Sequence, residues 1–200
     1  MVHQDKTKPM KLYSTDIVVI DLEASCPDES SNEVGKSNII EIAAVKLDKS
    51  TLEIKNSFNE LVKPKDYPIL PYIEEMTGIT PEMVESCDYF DKVAARFVEW
   101  YGNRNRSILA AFGTYYDIPL LRKEFRRFGL NFKDYFVGGA LDIRSLGLTW
   151  LALHGHNTTG ISPEKILLKM GSDTSDYSFH RALDDAKAAA SILKLFHFNS

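Results

Sequence analysis

Two carboxylates, Asp21 and Glu23, follow directly on four branched aliphatic residues, Ile17 to Ile20, in the stretch DIVVIDLEAS. That apolar run has strong strand preference and the length of a buried strand. Residues two apart in an extended chain point to the same face, so both carboxylates leave the end of this strand side by side. Their charges repel unless a cation lies between them, and hard divalent cations take oxygen ligands. On this stretch alone a plainer reading stands equally, a strand that simply ends in polar residues. Three further groups bear on the choice. Asp117 follows the apolar segment SILAAF (107–112) where a strand gives way to a helix, although an N-cap alone would explain it there. His180 and Asp185 stand five apart in HRALDDAKAAASILKLF. Four carboxylates at one sheet edge call for two divalent ions. Ion pairs about 3.5 to 4 Å apart serve phosphoryl displacement, one activating water and the other stabilising the leaving oxygen. A neutral histidine beside the water can take its proton near neutral pH. The chemistry these five residues suggest is metal-assisted phosphodiester hydrolysis.

The elements that must position them follow from the pattern of the chain. Residues 37–48 (SNIIEIAAVKLD) alternate well enough for a second strand, and 53–62 make a third after the turn at Asp48 to Thr51. With the first run these predict a three-stranded antiparallel meander. The segment 107–112 and a short edge strand over 140–143 extend it into a mixed sheet. Helices are expected from Pro81 after the N-cap Thr80, over 88–101, after Asp117 with Pro119 in the first turn, over 144–154 and 163–170, and from His180 to Phe196. The polar loop 26–36 leaves the first strand beside the carboxylates, where it could cover them, although a solvated loop is the plainer expectation. The fold class is α/β, a mixed central sheet flanked by helices. A carboxylate at the C-terminal end of a strand in such a sheet stands where ligands bind.

Composition bounds the rest. The chain has 200 residues, 44% hydrophobic and 26% charged, in the range of a globular protein with a sizeable core. No apolar run reaches the roughly 18 to 20 residues of a membrane span, so no membrane partner is expected. Residues 1–11, MVHQDKTKPMK, read as a flexible lead-in to a single domain over 12–200. Two cysteines, Cys26 and Cys87, exclude a disulfide framework and suit a reducing, cytoplasmic location. A net charge of −4 argues against tight non-specific duplex binding but not against a site that grips phosphates through metal ions. Arg122, Lys123, Arg126 and Arg127 form a basic group after Asp117. They read as a solvated face, or as contacts to substrate phosphates. His154 and His156 near Gly155 would need further ligands for a zinc site and read as solvated or capping histidines.

Taken together, Asp21-Leu22-Glu23 after an apolar strand, Asp117 at a strand-to-helix junction, and His180 with Asp185 as His-x4-Asp resemble the DEDDh family of 3′-to-5′ exonucleases over residues 16–196. Thr77-Gly78-Ile79 matches that family's TGI turn. The resemblance implies a ribonuclease H-like fold. It also implies two Mg²⁺ or Mn²⁺ ions on Asp21, Glu23, Asp117 and Asp185, with His180 as general base. Asp184 lacks the motif spacing and is read as a supporting carboxylate. The backbone around Leu22 and Ala24, with Thr77 and Ile79, would hold the terminal nucleotide. Leu22, Ile79 and Phe112 would supply apolar contacts to its sugar or base. The implied activity is release of 5′-mononucleotides from the 3′ end of single-stranded RNA or DNA. Within the family the chain is most similar to the KapD-like branch that trims RNA 3′ ends, from which Tyr115-Tyr116 departs where a tryptophan often precedes the aspartate. Two alternatives stand beside this one. An oligoribonuclease-like hydrolase would act on very short oligonucleotides, and a partner subunit would bind nucleic acid without cleaving it.

Overall fold

The computed structural model describes residues 15–25 and 34–199. The proposed lead-in and most of the polar loop after the first strand lie outside them. Five strands form one sheet in the order β3-β2-β1-β4-β5, with β1 at Asp16–Ser25, β2 at Asn38–Leu47, β3 at Ile54–Leu61, β4 at Ser107–Ala111 and β5 at Ala140–Asp142. β1, β2 and β3 make the expected antiparallel meander, while β4 runs parallel to β1 and β5 parallel to β4. β1 is thus central, and its apolar residues Ile17 to Ile20 are buried on both faces.

The helices, in chain order, are α1 (Pro71–Thr77), α2 (Pro81–Glu85), α3 (Phe90–Tyr101), α4 (Thr114–Arg127), α5 (Phe132–Tyr135), α6 (Ile143–Leu153), α7 (Pro163–Lys169) and α8 (Ala182–Asn199). The pleat of β1 sorts its residues between two cores. Val18, Ile20 and Leu22 pack with Phe90, Phe97, Leu121 and Phe125 of α3 and α4. Ile17 and Val19 pack with Ile143, Leu151, Ile166 and the alanine-rich face of α8. On the first side Phe125 meets Phe90, Phe132, Tyr135 and Phe136 at ring-centroid distances of 5.5 to 6.0 Å. This aromatic cluster fixes α4 against α3 and α5.

Sequence and structure part in a few places. Two short helices, α1 and α5, were not anticipated, and a 3₁₀ turn occupies Val34–Lys36. α1 opens on Pro71 and closes on Gly78, whose φ of +70° lets its N–H return to the Glu74 carbonyl. A helix this short has little periodicity to read. Pro119 lies in the second turn of α4 rather than the first, because that helix begins at Thr114 after Gly113 at φ +93°. Thr80 caps α2 as expected, accepting from the Met83 N–H. Among the described residues no helix is long and apolar enough to cross a membrane.

Candidate active site

The alternation that sends Ile17 and Val19 toward α8 continues to the end of β1. Asp21 and Glu23 therefore face α8 as well, and Asp185 in its first turn comes to meet them. Oxygen atoms of Asp21, Glu23 and Asp185 all lie within 4.8 Å of one another. Asp117 arrives from the opposite layer. It is buried in the first turn of α4, just past the C-terminal end of β4, and its carboxylate accepts from its own N–H and from that of Leu22. The N-cap of this helix is Gly113, so capping does not account for Asp117.

The electrostatics record the crowding. Burial first, then Asp117, Glu23, Asp185 and Glu41, raise the Asp21 carboxyl well above its usual range. Burial and the neighbouring Asp185, Glu41 and Asp117 push Glu23 up to about 8, with Arg181 acting against them. Asp117 rises to about 7, mainly by burial, against the two backbone N–H groups it accepts from. Asp185 rises to about 6, again mainly by burial, opposed by its hydrogen bond from the His180 N–H and by the charge of His180. A cluster whose members all resist ionising together fits a bound divalent cation, and its donors are all the hard oxygens such ions take.

His180 sits at the rim of this cluster, exposed, immediately before α8. Its backbone is left-handed, at φ +67°, and its N–H donates to Asp185 Oδ2 at 2.9 Å. Asp184 turns away, accepting from the Ser178 N–H and pairing with Lys187 at 2.9 Å. The proposed nucleotide-contact residues are placed as follows. Leu22 and Ile79 are enclosed, Leu22 in the α3–α4 core and Ile79 with Ile40, Ile69 and Ile73, so their side chains present no apolar surface to a ligand. Ala24 and Thr77 are buried, and Thr77 Oγ1 donates to the Ile73 carbonyl while accepting from the Ile79 N–H. Phe112 is half-buried against the α8 core. The basic group after Asp117 divides. Lys123 and Arg127 pair with buried Glu124 inside the fold, whereas Arg122 and Arg126 line a cavity of about 410 Å³ with Lys133.

One pair beside the cluster escaped the reading of the sequence. Glu41 stands opposite Glu23 in the β1–β2 register and is 1% exposed. It accepts from Arg181 Nη2 at 2.9 Å, Arg181 Nε at 3.3 Å and the Ala182 N–H at 3.2 Å. The signal was a carboxylate in the middle of a strand otherwise almost wholly apolar, NIIEIAAVKL.

The exonuclease (RNase T) family signature matches residues 18–193. The DNA polymerase III PolC-type of Clostridium perfringens is 32% identical over 190 residues, which cover 91% of this chain and 11% of that protein. ERI1 exoribonuclease 3 of Homo sapiens is 28% identical over 189 residues, covering 88% of this chain and 52% of its own length. The chain therefore spans about half, or far less, of these relatives. Among solved structures, the nuclease domain of 3′hExo, a DEDDh family member bound to rAMP, superposes with a TM-score of 0.74 at 24% identity, covering 92% of each chain.

Proposed function

This chain belongs to the exonuclease family, and on that premise we propose that it removes nucleotides from the 3′ end of single-stranded RNA or DNA as 5′-mononucleotides. Residues 12–200 are read as one exonuclease domain, at work in the cytoplasm. The observation that carries the proposal is the convergence of Asp21, Glu23 and Asp185 within 4.8 Å, with Asp117 packed beside Asp21. These four would hold two Mg²⁺ or Mn²⁺ ions, which when bound supply positive charge to the scissile phosphate and acidify a water. The relatives' names support either sugar, since one is an exoribonuclease and the other a DNA polymerase.

The remaining work falls to the chain's own residues. His180, exposed at the rim, can accept a proton from the attacking water through a ring nitrogen and release it to solvent. The backbone of Leu22, Ala24 and the Thr77–Ile79 turn lies on the rigid end of β1 and the cap of α1, where it can hold the terminal nucleotide without reorganising. Base stacking tolerates every base, so little sequence preference is expected.

Digestion of 5′-labelled single-stranded RNA and DNA with Mg²⁺ or Mn²⁺, alongside Asp21→Asn, tests the proposal. A ladder shortening from the 3′ end and absent from the variant is the expected outcome. No ladder on either substrate, from folded protein with metal, would move the assignment to a binding role.

A further inference from the structure

We infer that the pair formed by buried Glu41 and half-exposed Arg181 is a positioning device that holds His180 beside the carboxylate cluster. The inference rests on the exonuclease reading of this site. It adds Glu41 and Arg181, which lie outside the motif residues, to what those residues show.

The segment from His180 to Ala182 is fastened at three successive residues. The His180 N–H donates to Asp185 Oδ2 at 2.9 Å. The Arg181 guanidinium reaches Glu41 through Nη2 at 2.9 Å and Nε at 3.3 Å, a fork that a lysine cannot reproduce. The Ala182 N–H, at the start of α8, donates to the same Glu41 carboxylate at 3.2 Å. Glu41 itself cannot wander, because β2 is paired on both sides, with β1 and with β3. The strand that carries Glu23 thus also fixes, through its neighbour β2, the residue that adjoins His180.

The anchoring has work to do. Outside glycine a φ of +67° is uncommon and persists where the surroundings over-determine it. His180 is exposed and its side chain makes no hydrogen bond among the described residues, so its direction is set through its backbone. A carboxylate buried to 1% exposure beside Asp21, Glu23 and Asp185 carries an electrostatic cost. A core meant only for stability would place an apolar residue there. Glu41 is instead where it can receive an arginine that lies one residue from the proposed base. Freed from it, residues 178–181 could relax toward ordinary φ values and swing the imidazole off line, while the groups proposed to hold the nucleotide, on β1 and at the end of α1, would stay in place.

The test is a cycle of Glu41→Gln, Arg181→Gln and the double substitution, with Arg181→Lys as the conservative variant. A single substitution can leave a buried charge without its partner and fail to fold. The double variant removes both charges, with no change of volume at the buried position, Glu41, and a shorter side chain at half-exposed Arg181. Two quantities are read: kcat and KM on a single-stranded oligonucleotide, and backbone hydrogen exchange across 178–184. In the double variant kcat is expected to fall on the order of 10- to 100-fold, since misplacing a reacting group by about 1 Å can cost that much. KM should stay within about threefold, Arg181→Lys should recover part of kcat, and faster exchange should be confined to His180–Ala182. A folded double variant with unchanged kcat would overturn the inference. So would kcat and KM changing together with faster exchange throughout the sheet, which would mark the pair as merely structural. If the wild-type protein cleaves no nucleic acid, the exonuclease reading fails, while the exchange arm still decides whether the pair fixes His180.

Discussion

The stability of the metal-free protein should fall as pH rises from about 5 to about 8, and divalent metal should offset part of that fall. Glu23 shows the size of the effect. Its carboxyl is raised from 4.5 to about 8, by burial first and then by Asp185, Glu41 and Asp117. Between those values the folded protein keeps a proton that the unfolded chain has released. The contribution to stability is therefore complete below about 4.5 and is lost as pH climbs through about 8. A tenfold change in proton affinity is worth about 1.4 kcal/mol, so Glu23 alone accounts for on the order of 4 to 5 kcal/mol across the window. Asp117, raised to about 7, and Asp185, raised to about 6, act in the same direction, although groups this close titrate as a set and their effects do not simply add. Asp48, Asp173 and Glu82 are lowered, so the stability they add is already complete before this window opens. Set against a usual total of about 5 to 15 kcal/mol, the loss is large enough to move an unfolding midpoint plainly. A metal bound only by the folded state, at 100 times its Kd, restores about 2.7 kcal/mol. Urea unfolding at several pH values, with EDTA or with Mn²⁺, reads both effects. Metal-free stability that stays flat or rises over this range would refute the crowded, buried carboxylate cluster.

Three other outcomes are expected. His180→Ala should slow turnover by about 10² to 10⁴, the range of a general base, and a loss under about tenfold in steady-state assays would mean that another group takes the proton. Chelation should abolish cleavage and added Mg²⁺ or Mn²⁺ should restore it; activity that survives EDTA dialysis would sink the metal assignment. Phe125→Ala should cost roughly 3 to 5 kcal/mol in urea unfolding, because a fully buried ring in contact with four other aromatic rings leaves a cavity that cannot close easily. A cost below about 1 kcal/mol would mean that the core collapses around the gap.

How much of this was legible in the chain varies with how far apart the interacting residues lie. The meander, β4 as a strand and the long helices were readable because period-2 and period-3.6 patterns are local, and Thr80-Pro81 announces its helix within two residues. The parallel pairing of β4 with β1, by contrast, joins segments about 90 residues apart and came only from the fold. α1 and α5 were not, since a helix of four to seven residues carries too few turns to leave a periodicity. For the candidate site, spacing alone determined that Asp21 and Glu23 share a face and that His180 and Asp185 lie close together near the start of one helix, although the helix begins at Ala182 and leaves His180 outside it at φ +67°. Those relations are set by backbone geometry over a few residues. That the shared face is the one turned toward α8 came only from packing, as did the arrival of Asp117 from the opposite layer with its carboxylate on the Leu22 N–H. The Glu41–Arg181 pair lay furthest from view. The two residues are 140 positions apart, and their meeting depends at once on the β1–β2 register, the docking of α8 and a left-handed turn at His180. Short-range geometry wrote the carboxylates into the sequence; only the folded chain could choose which distant charge would hold the histidine beside them.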